Sequence, residues 1–236
     1  MRFFIPKPLH GWRQFAGEIA IIVIGVLIAL GADQLLETRT WRDKVSAAEN
    51  SMNTEIERSL AAARQSDFLK ACQDRQVDIL ANALADDDWA TANRVIEKGE
   101  YVVRTFWADD AFTAALASQI GDHIGTDRLQ DYSSVYMMIR KNRQHQENGW
   151  TTDSTFAMLA MPGLPKTETV RLMQLQAVAK LRDSLDSSRS QGQLLLELAN
   201  KELGLIETDD EFFARPGRMK QIAECRAAAE SLSRSN

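Results

Sequence analysis

The chain has 236 residues and a net charge of −5, with 44% hydrophobic and 26% charged residues, an ordinary globular balance. Residues 1–32 carry a net +2, which leaves −7 on residues 33–236. An acidic domain of that kind lacks the electrostatic footprint for phosphate backbones, so nucleic acid is excluded as an expected partner.

Only 12 Gly and 5 Pro occur, while Ala, Leu, Glu, Gln and Arg recur throughout. That composition favours helices over strands and predicts an all-α protein: one N-terminal transmembrane helix continuing into an antiparallel helical bundle. Residues 1–14 read as a short basic tail, with Pro6 and Pro8 preventing an earlier helix start. Residues 15–36 read as the membrane anchor. Their centre, Ile19 to Ala32, holds no polar side chain, and the anchor residues are Glu18, Ile19, Ile22, Gly25, Ile28, Ala29 and Ala32. Trp12 and Trp41 lie 29 positions apart. A continuous helix separates them by ~44 Å, the full bilayer with headgroups, and places both at the membrane interface. A cleaved signal peptide is the competing reading, because Ala29-Leu30-Gly31 offers a small-x-small site. Glu18 directly before the apolar run speaks against it. Three basic residues flank each side of the span, so the positive-inside rule is tied. Asp33, Glu37 and Asp43 offset those beyond it, which favours a cytoplasmic N-terminus and a periplasmic main domain, residues 37–236.

No Gly or Pro interrupts residues 33–98. Trp41, Val45, Ala48, Met52, Ile56, Leu60 and Ala63 recur at steps of three and four, one helical face, resumed at Leu69, Cys72, Ile79, Leu80 and Leu84. Asp86-Asp87-Asp88 ends this helix and caps a short one over Trp89–Lys98. Residues 100–108 are locally strand-like but have no second strand to pair with, so an extended connector is expected. Asp109 or Asp110 then caps a helix to Ile120. Thr126 opens a helix of about twenty residues with Leu129, Tyr132, Val135, Tyr136 and Ile139 inward. A separate short helix follows over Trp150 to Met161, stopped by Pro162-Gly163-Leu164-Pro165. Thr167 to Gly204 forms a second long element, with Val170, Met173, Ala177 and Leu181 and then Leu194 to Leu203 as its buried face. Arg182 to Gln193 holds only Leu185 as a large apolar residue and reads as a solvated waist. The last helix runs from about Gly217 to Leu232, with Met219, Ile222, Ala223 and Leu232 inward.

No complete catalytic or metal-binding constellation occurs. His145-Gln146-Glu147 lacks the cysteine half of a zinc deaminase signature, and no zinc-protease, hydrolase-elbow, phosphate-loop or dinucleotide motif is present. No cofactor, metal or catalytic residue is expected. Acidic pairs such as Asp86-Asp87-Asp88 and Asp109-Asp110 read as helix caps rather than cation sites. Arg140, Lys141, Arg143 and His145 read as complements to a helix C-terminus, the alternative being an anionic-ligand site. Tyr101, Phe106, Trp107 and Phe112 concentrate four of seventeen aromatics in twelve residues and form the candidate pocket if a small molecule binds. Gly25 and Ala29, with Glu18, make a small-xxx-small face for a protein partner or homo-oligomer in the membrane. Cys72 and Cys225 lie on the first and last bundle helices and are expected to form a disulfide in an oxidising compartment, two separate buried thiols being the alternative.

Gly17-Glu18-Ile19, Ile24-Gly25-Val26-Leu27-Ile28-Ala29-Leu30, His10-Gly11-Trp12-Arg13 and Trp41-Arg42 resemble the N-terminal segment of a group of bacterial single-pass membrane proteins of unassigned function. A looser likeness runs from Phe106-Trp107 through Ala114-Ala115-Leu116-Ala117. The resemblance implies a bacterial inner-membrane protein with a helical domain, and no activity. The functional expectation is a non-enzymatic envelope module that binds or organises a partner. The alternative is a small-molecule-binding or enzymatic helical domain using the region around Trp107.

Overall fold

The computed structural model describes residues 12–98, 107–159, 163 and 165–234. Among these there are seven α-helices and no strand, as the composition predicts. They are α1 (Trp12–Ala85), α2 (Trp89–Lys98), α3 (Asp110–Ala117), α4 (Thr126–Leu159), α5 (Glu168–Leu198), α6 (Asp209–Ala214) and α7 (Arg218–Arg234). The chain divides into two units, Met1–Ala47 and Ala48–Asn236.

Within the first unit the described part is a single helix, apolar and long enough to cross a membrane. Ile19, Ile22, Gly25, Ile28, Ala29 and Ala32 are exposed, as is Glu18. At its polar end, Thr38 Oγ1 donates to the Gln34 carbonyl at 2.8 Å and Thr40 Oγ1 to the Leu36 carbonyl at 2.9 Å. Trp12 is exposed, and Trp41 carries the Lys44 ammonium 4.4 Å from its ring centroid.

The second unit is a bundle whose directions follow from its cross-helix contacts. Arg128 pairs with Glu49 and Tyr132 donates to Asn53, so α4 runs parallel to α1. Arg189 pairs with Asp74 and Arg182 with Asp78, so α5 runs antiparallel to α1. Ser184 bonds the His145 carbonyl and Ser188 the Asn142 side chain, so α5 is antiparallel to α4 as well. Met52, Ile56, Leu60, Ala63, Leu69, Cys72, Leu80 and Leu84 are buried on α1, the face its three–four spacing defines.

Local chemistry sets the ends of several elements. Asp88 accepts from the Thr91 N–H at 3.1 Å and starts α2, while Asp87 leaves α1 with a φ of 60°. The Thr167 side chain accepts from the Val170 N–H and starts α5. A π-helical turn, Ala199–Leu203, continues α5 to Gly204, whose φ of 69° and the Leu205 N–H to Ala199 carbonyl bond close the helix.

Some expectations are corrected. The helix from Thr126 does not stop after twenty residues, and Trp150 does not start a separate one: α4 is continuous to Leu159. An interior glycine costs about 1 kcal/mol of helix stability, which the burial of Phe156 in the core offsets. Asp109 makes no side-chain cap at α3, and that helix ends at Ala117, short of Ile120. Met173, Leu194, Met219 and Ala223 are exposed rather than inward. The stretch expected to be a solvated waist lies against the rest of the bundle: Ser184, Arg189 and Gly192 are buried in it. The buried stripe of α5 is Gln174, Ala177, Val178, Leu181, Ser184, Arg189, Gly192 and Leu195.

Gly192 marks the close approach of α5 to α1. A Cβ there would sit 3.3 Å from Ala63 Cβ and 3.5 Å from Ala63 Cα. Gly192→Leu is expected to force the helices apart and cost about 1–3 kcal/mol, read as a lowered thermal midpoint. An unchanged midpoint would show that the two helices are not in contact there.

Candidate functional site

Three features of the second unit were candidates for chemistry, and each is built from helices that meet across the core. The first surrounds Trp107. Tyr101 and Phe106 of the candidate pocket lie outside the described residues. Trp107 and Phe112 are both buried. Phe112 stacks on Tyr136 of α4 with centroids 4.7 Å apart and planes 12° from parallel. The Tyr136 hydroxyl donates to the Met52 carbonyl at 3.2 Å, and burial together with Glu55 pushes its pKa far above the ordinary phenol value. That phenol is a packing group that stays protonated. Among the described residues, the Trp107 indole N–H is buried without a hydrogen-bond partner.

Beside it, Asp109 accepts from Arg140 Nε at 2.6 Å and from Arg143 Nη1 at 2.7 Å. Burial pushes the Asp109 carboxyl up, but the two guanidiniums outweigh it and hold the acid below the usual carboxylate range. The basic cluster therefore does not sit at a helix end. It lies in the middle of α4, and two of its members neutralise a carboxylate from the segment before α3. Arg140 also rests 5.7 Å from the Phe112 ring centroid. His145 offers its backbone carbonyl to Ser184 Oγ at 2.6 Å.

The second feature is a buried polar seam that the sequence pattern concealed. Arg189, 5% exposed, donates from Nη1 to Asp74 at 2.7 Å and Asp186 at 3.0 Å, and from Nη2 to Gln73 at 3.3 Å. Partial burial pushes the Asp74 carboxyl up, yet hydrogen bonds from Lys70 and Arg189 hold it below its ordinary value. Burial raises Asp67 nearby, against the lowering influence of Arg64, Arg189 and Gln193. Further along α5, Gln174 is fully buried and neither atom of its amide has a partner. The helical phase from Leu181 to Leu195 was the available signal. Followed through polar residues, it places Ser184, Ser188 and Gly192 on the inner face.

The third feature joins the expected cysteine pair. Cys72 and Cys225 form a disulfide, with Cα atoms 5.9 Å apart and 153 positions between them. Leu69, Phe212, Ile222 and Ala229 pack around it.

Among the described residues no group of His, Cys, Asp and Glu is placed to hold a metal ion. A shallow groove of about 440 Å³ between α1 and α5 is lined by Ala81, Leu175, Val178, Ala179, Arg182, Asp183 and Asp186, away from Trp107 and Phe112. No family model, curated protein or solved structure matches the chain. The geometry alone therefore supports a functional reading, and it is that of ion pairs, aromatic stacking and a cross-link stabilising a bundle.

Two measurements follow from these polar groups. Gln174→Met removes a buried amide without partners and keeps the side-chain length, so it is expected to stabilise the unit by about 1–2 kcal/mol in denaturant unfolding. Destabilisation would mean that the amide is hydrogen-bonded. Because Asp109 has a lowered folded pKa, its contribution to stability is complete above the unfolded value of about 3.9 and is lost as pH falls through the lower folded value. Asp109→Asn is expected to be less stable at pH 7 and to show a shallower loss below about pH 4. Identical acid profiles for both proteins would contradict the Asp109 pairing.

Proposed function

We propose that this protein is a single-pass, membrane-anchored helical envelope module, non-enzymatic, that binds or organises a partner. The supporting observation is α1 itself: one unbroken helix begins in the exposed apolar segment and ends inside the folded unit, at Ala85. A cleaved leader has no need to share a helix with the domain it precedes. The reading places residues 1–14 in the cytoplasm of a bacterial cell, residues 15–36 in the inner membrane and the main domain in the periplasm. The Cys72–Cys225 disulfide supports the oxidising side. Residues committed to ion pairs and packing, rather than to a convergent reactive group, support the non-enzymatic part. Within the membrane, Gly25 and Ala29 provide the close-approach face for a second helix, with Glu18 as its polar contact.

The rival reading, a small-molecule or enzymatic site, is favoured by one observation, the buried and unpartnered indole N–H of Trp107. That N–H supplies a single donor, whereas the ion pairs, the stacked rings and the cross-link all serve packing, so the scaffold reading is preferred.

The intact protein is expected to sediment with membranes, resist alkaline carbonate extraction and retain the residues before Ala32 in its mature form. A reporter enzyme that works only outside the cytoplasm is expected to be active when fused to the C-terminus. A mature N-terminus at Ala32 would remove the anchor and sink the proposal, and an inactive reporter would invert the topology.

A further inference from the structure

Helix α7 is attached to the bundle by a narrow contact. Its buried positions are Ile222, Cys225, Ala229 and Leu232, about one per turn, and only Ile222 and Leu232 are large and apolar. The first three pack with Leu69, Cys72 and Phe212, while Leu232 enters the core formed by Leu80, Ala92, Phe156 and Leu181; alongside, α1 presents two buried glutamines. Gln65 Nε2 donates to the Gln221 side chain, and Gln76 Nε2 donates to the Cys225 carbonyl at 3.2 Å. Amide contacts of this kind exchange their partners for water at small net cost, unlike an apolar seam. A helix of 17 residues is marginal in water on its own. The disulfide ties α7 covalently to α1, so the oxidised helix cannot leave its seat by more than the reach of the cross-link.

The segment before α7 is fastened separately. Phe212 of α6 is fully buried and stacks on Phe68 of α1 at 5.0 Å. Glu207 is held by Arg215 through two bonds of 2.8 Å, and its carbonyl accepts from Arg64 Nε at 3.3 Å. Between this fixed point and α7 lies Pro216-Gly217, with Gly217 at a φ of 82°, a conformation open to glycine. The order along the chain is a fixed turn, a glycine joint, a weakly held helix and a covalent clasp halfway along it.

We propose that the Cys72–Cys225 disulfide is a redox latch on α7, and that its reduction releases Arg218–Arg234 about Gly217 while α1, α4 and α5 stay assembled. The reductant is an external dithiol. One of its thiolates attacks Cys72 Sγ, the bond to Cys225 breaks, and the Cys225 thiolate takes up a proton. The second thiol then displaces Cys72, leaving two cysteine thiols and an oxidised dithiol, a transfer of two electrons and two protons. The Cys72 Sγ lies 3.0 Å from the Leu69 carbonyl, so the reduced thiol has an acceptor in place. At 6% and 1% exposure the two cysteines are shielded, which limits attack to moments when α7 has partly lifted. Release uncovers the Gln65 and Gln76 side of α1 together with Leu69, and withdraws Leu232 from the core. The latch rests on the disulfide and not on the membrane anchor, so a failed carbonate extraction leaves it standing.

The test is amide hydrogen exchange on the full-length chain in detergent micelles, oxidised and after reduction with tris(carboxyethyl)phosphine, with alkylation counting the thiols. On reduction, protection over 218–234 is expected to fall by at least about tenfold, and that over 48–85 and 126–198 by less than about twofold. The double variant Cys72→Ser, Cys225→Ser is expected to show the reduced pattern without reductant. Unchanged protection of α7 in the double variant would overturn the proposal, since the helix would then hold without the bond. Equal loss across all helices would also overturn it, because the bond would then staple the whole fold.

Discussion

Helix α5 lies against α1 along one side and α4 along another, and the rest of the second unit depends on that double contact. A helix packed on two neighbours needs an inner face that continues without a gap, because a void or a charge without a partner is costly in either interface. Apolar residues meet this need at Ala177, Val178 and Leu181 and again at Leu195 and Ala199. Between them the chain uses a different solution. Gly192 brings the helices close enough that Ala63 fills the space, and Arg189 crosses to α1, where Asp74 and Gln73 receive it. The serines at 184 and 188 turn the other side toward α4 through the His145 carbonyl and the Asn142 side chain. Close backbone approach and hydrogen bonding thus replace apolar volume over three helical turns.

The same constraint explains where charge is buried. Glu207 and Arg189 are buried and Asp109 is half-buried, and each makes more than one charged hydrogen bond. Arg140 and Arg143 converge on Asp109, the two ends of the Arg215 guanidinium grip Glu207, and two aspartates flank Arg189. Multiple partners are what make withdrawal from water tolerable, since the desolvation of an ion pair consumes most of its Coulomb attraction. Gln174 lacks any such partner, and its burial is a cost that its apolar neighbours on α5 offset.

Covalent and polar attachment are combined differently at α7. The bundle formed by α1, α4 and α5 is cohesive through wide contacts, whereas α7 contributes a narrow stripe and depends on a cross-link. Stability is therefore unequal across the unit, and the terminal helix, with about one buried residue per turn, is the one bearing the redox-sensitive bond. In the proposed envelope setting, that inequality provides a response to the redox state of the surroundings without a rearrangement of the bundle.

Much of this architecture is written locally in the chain. The apolar run from Ile19 to Ala32, the unbroken spacing from Trp41 to Leu84, the Asp88 and Thr167 caps and the Gly204 stop are all decided by neighbouring residues, so the long helices α1 and α5 are legible without a structure, whereas the length of α4 and the short α6 are not. The pairing of Cys72 with Cys225 was also within reach, because both sit on the inner side of terminal bundle helices. Other features depend on residues far apart in sequence. The role of Asp109 was misread as a cap because its partners, Arg140 and Arg143, lie more than thirty positions away. Met173 and Met219 are apolar yet face outward, while Ser184, Arg189 and Gly192 are polar or small yet face inward. The sequence by itself determined an all-α chain with one exposed apolar helix, since helix formation and apolar length are properties of consecutive residues. Only the tertiary structure decided which side of α5 is inside, because burial of a polar residue depends on a partner that another helix supplies.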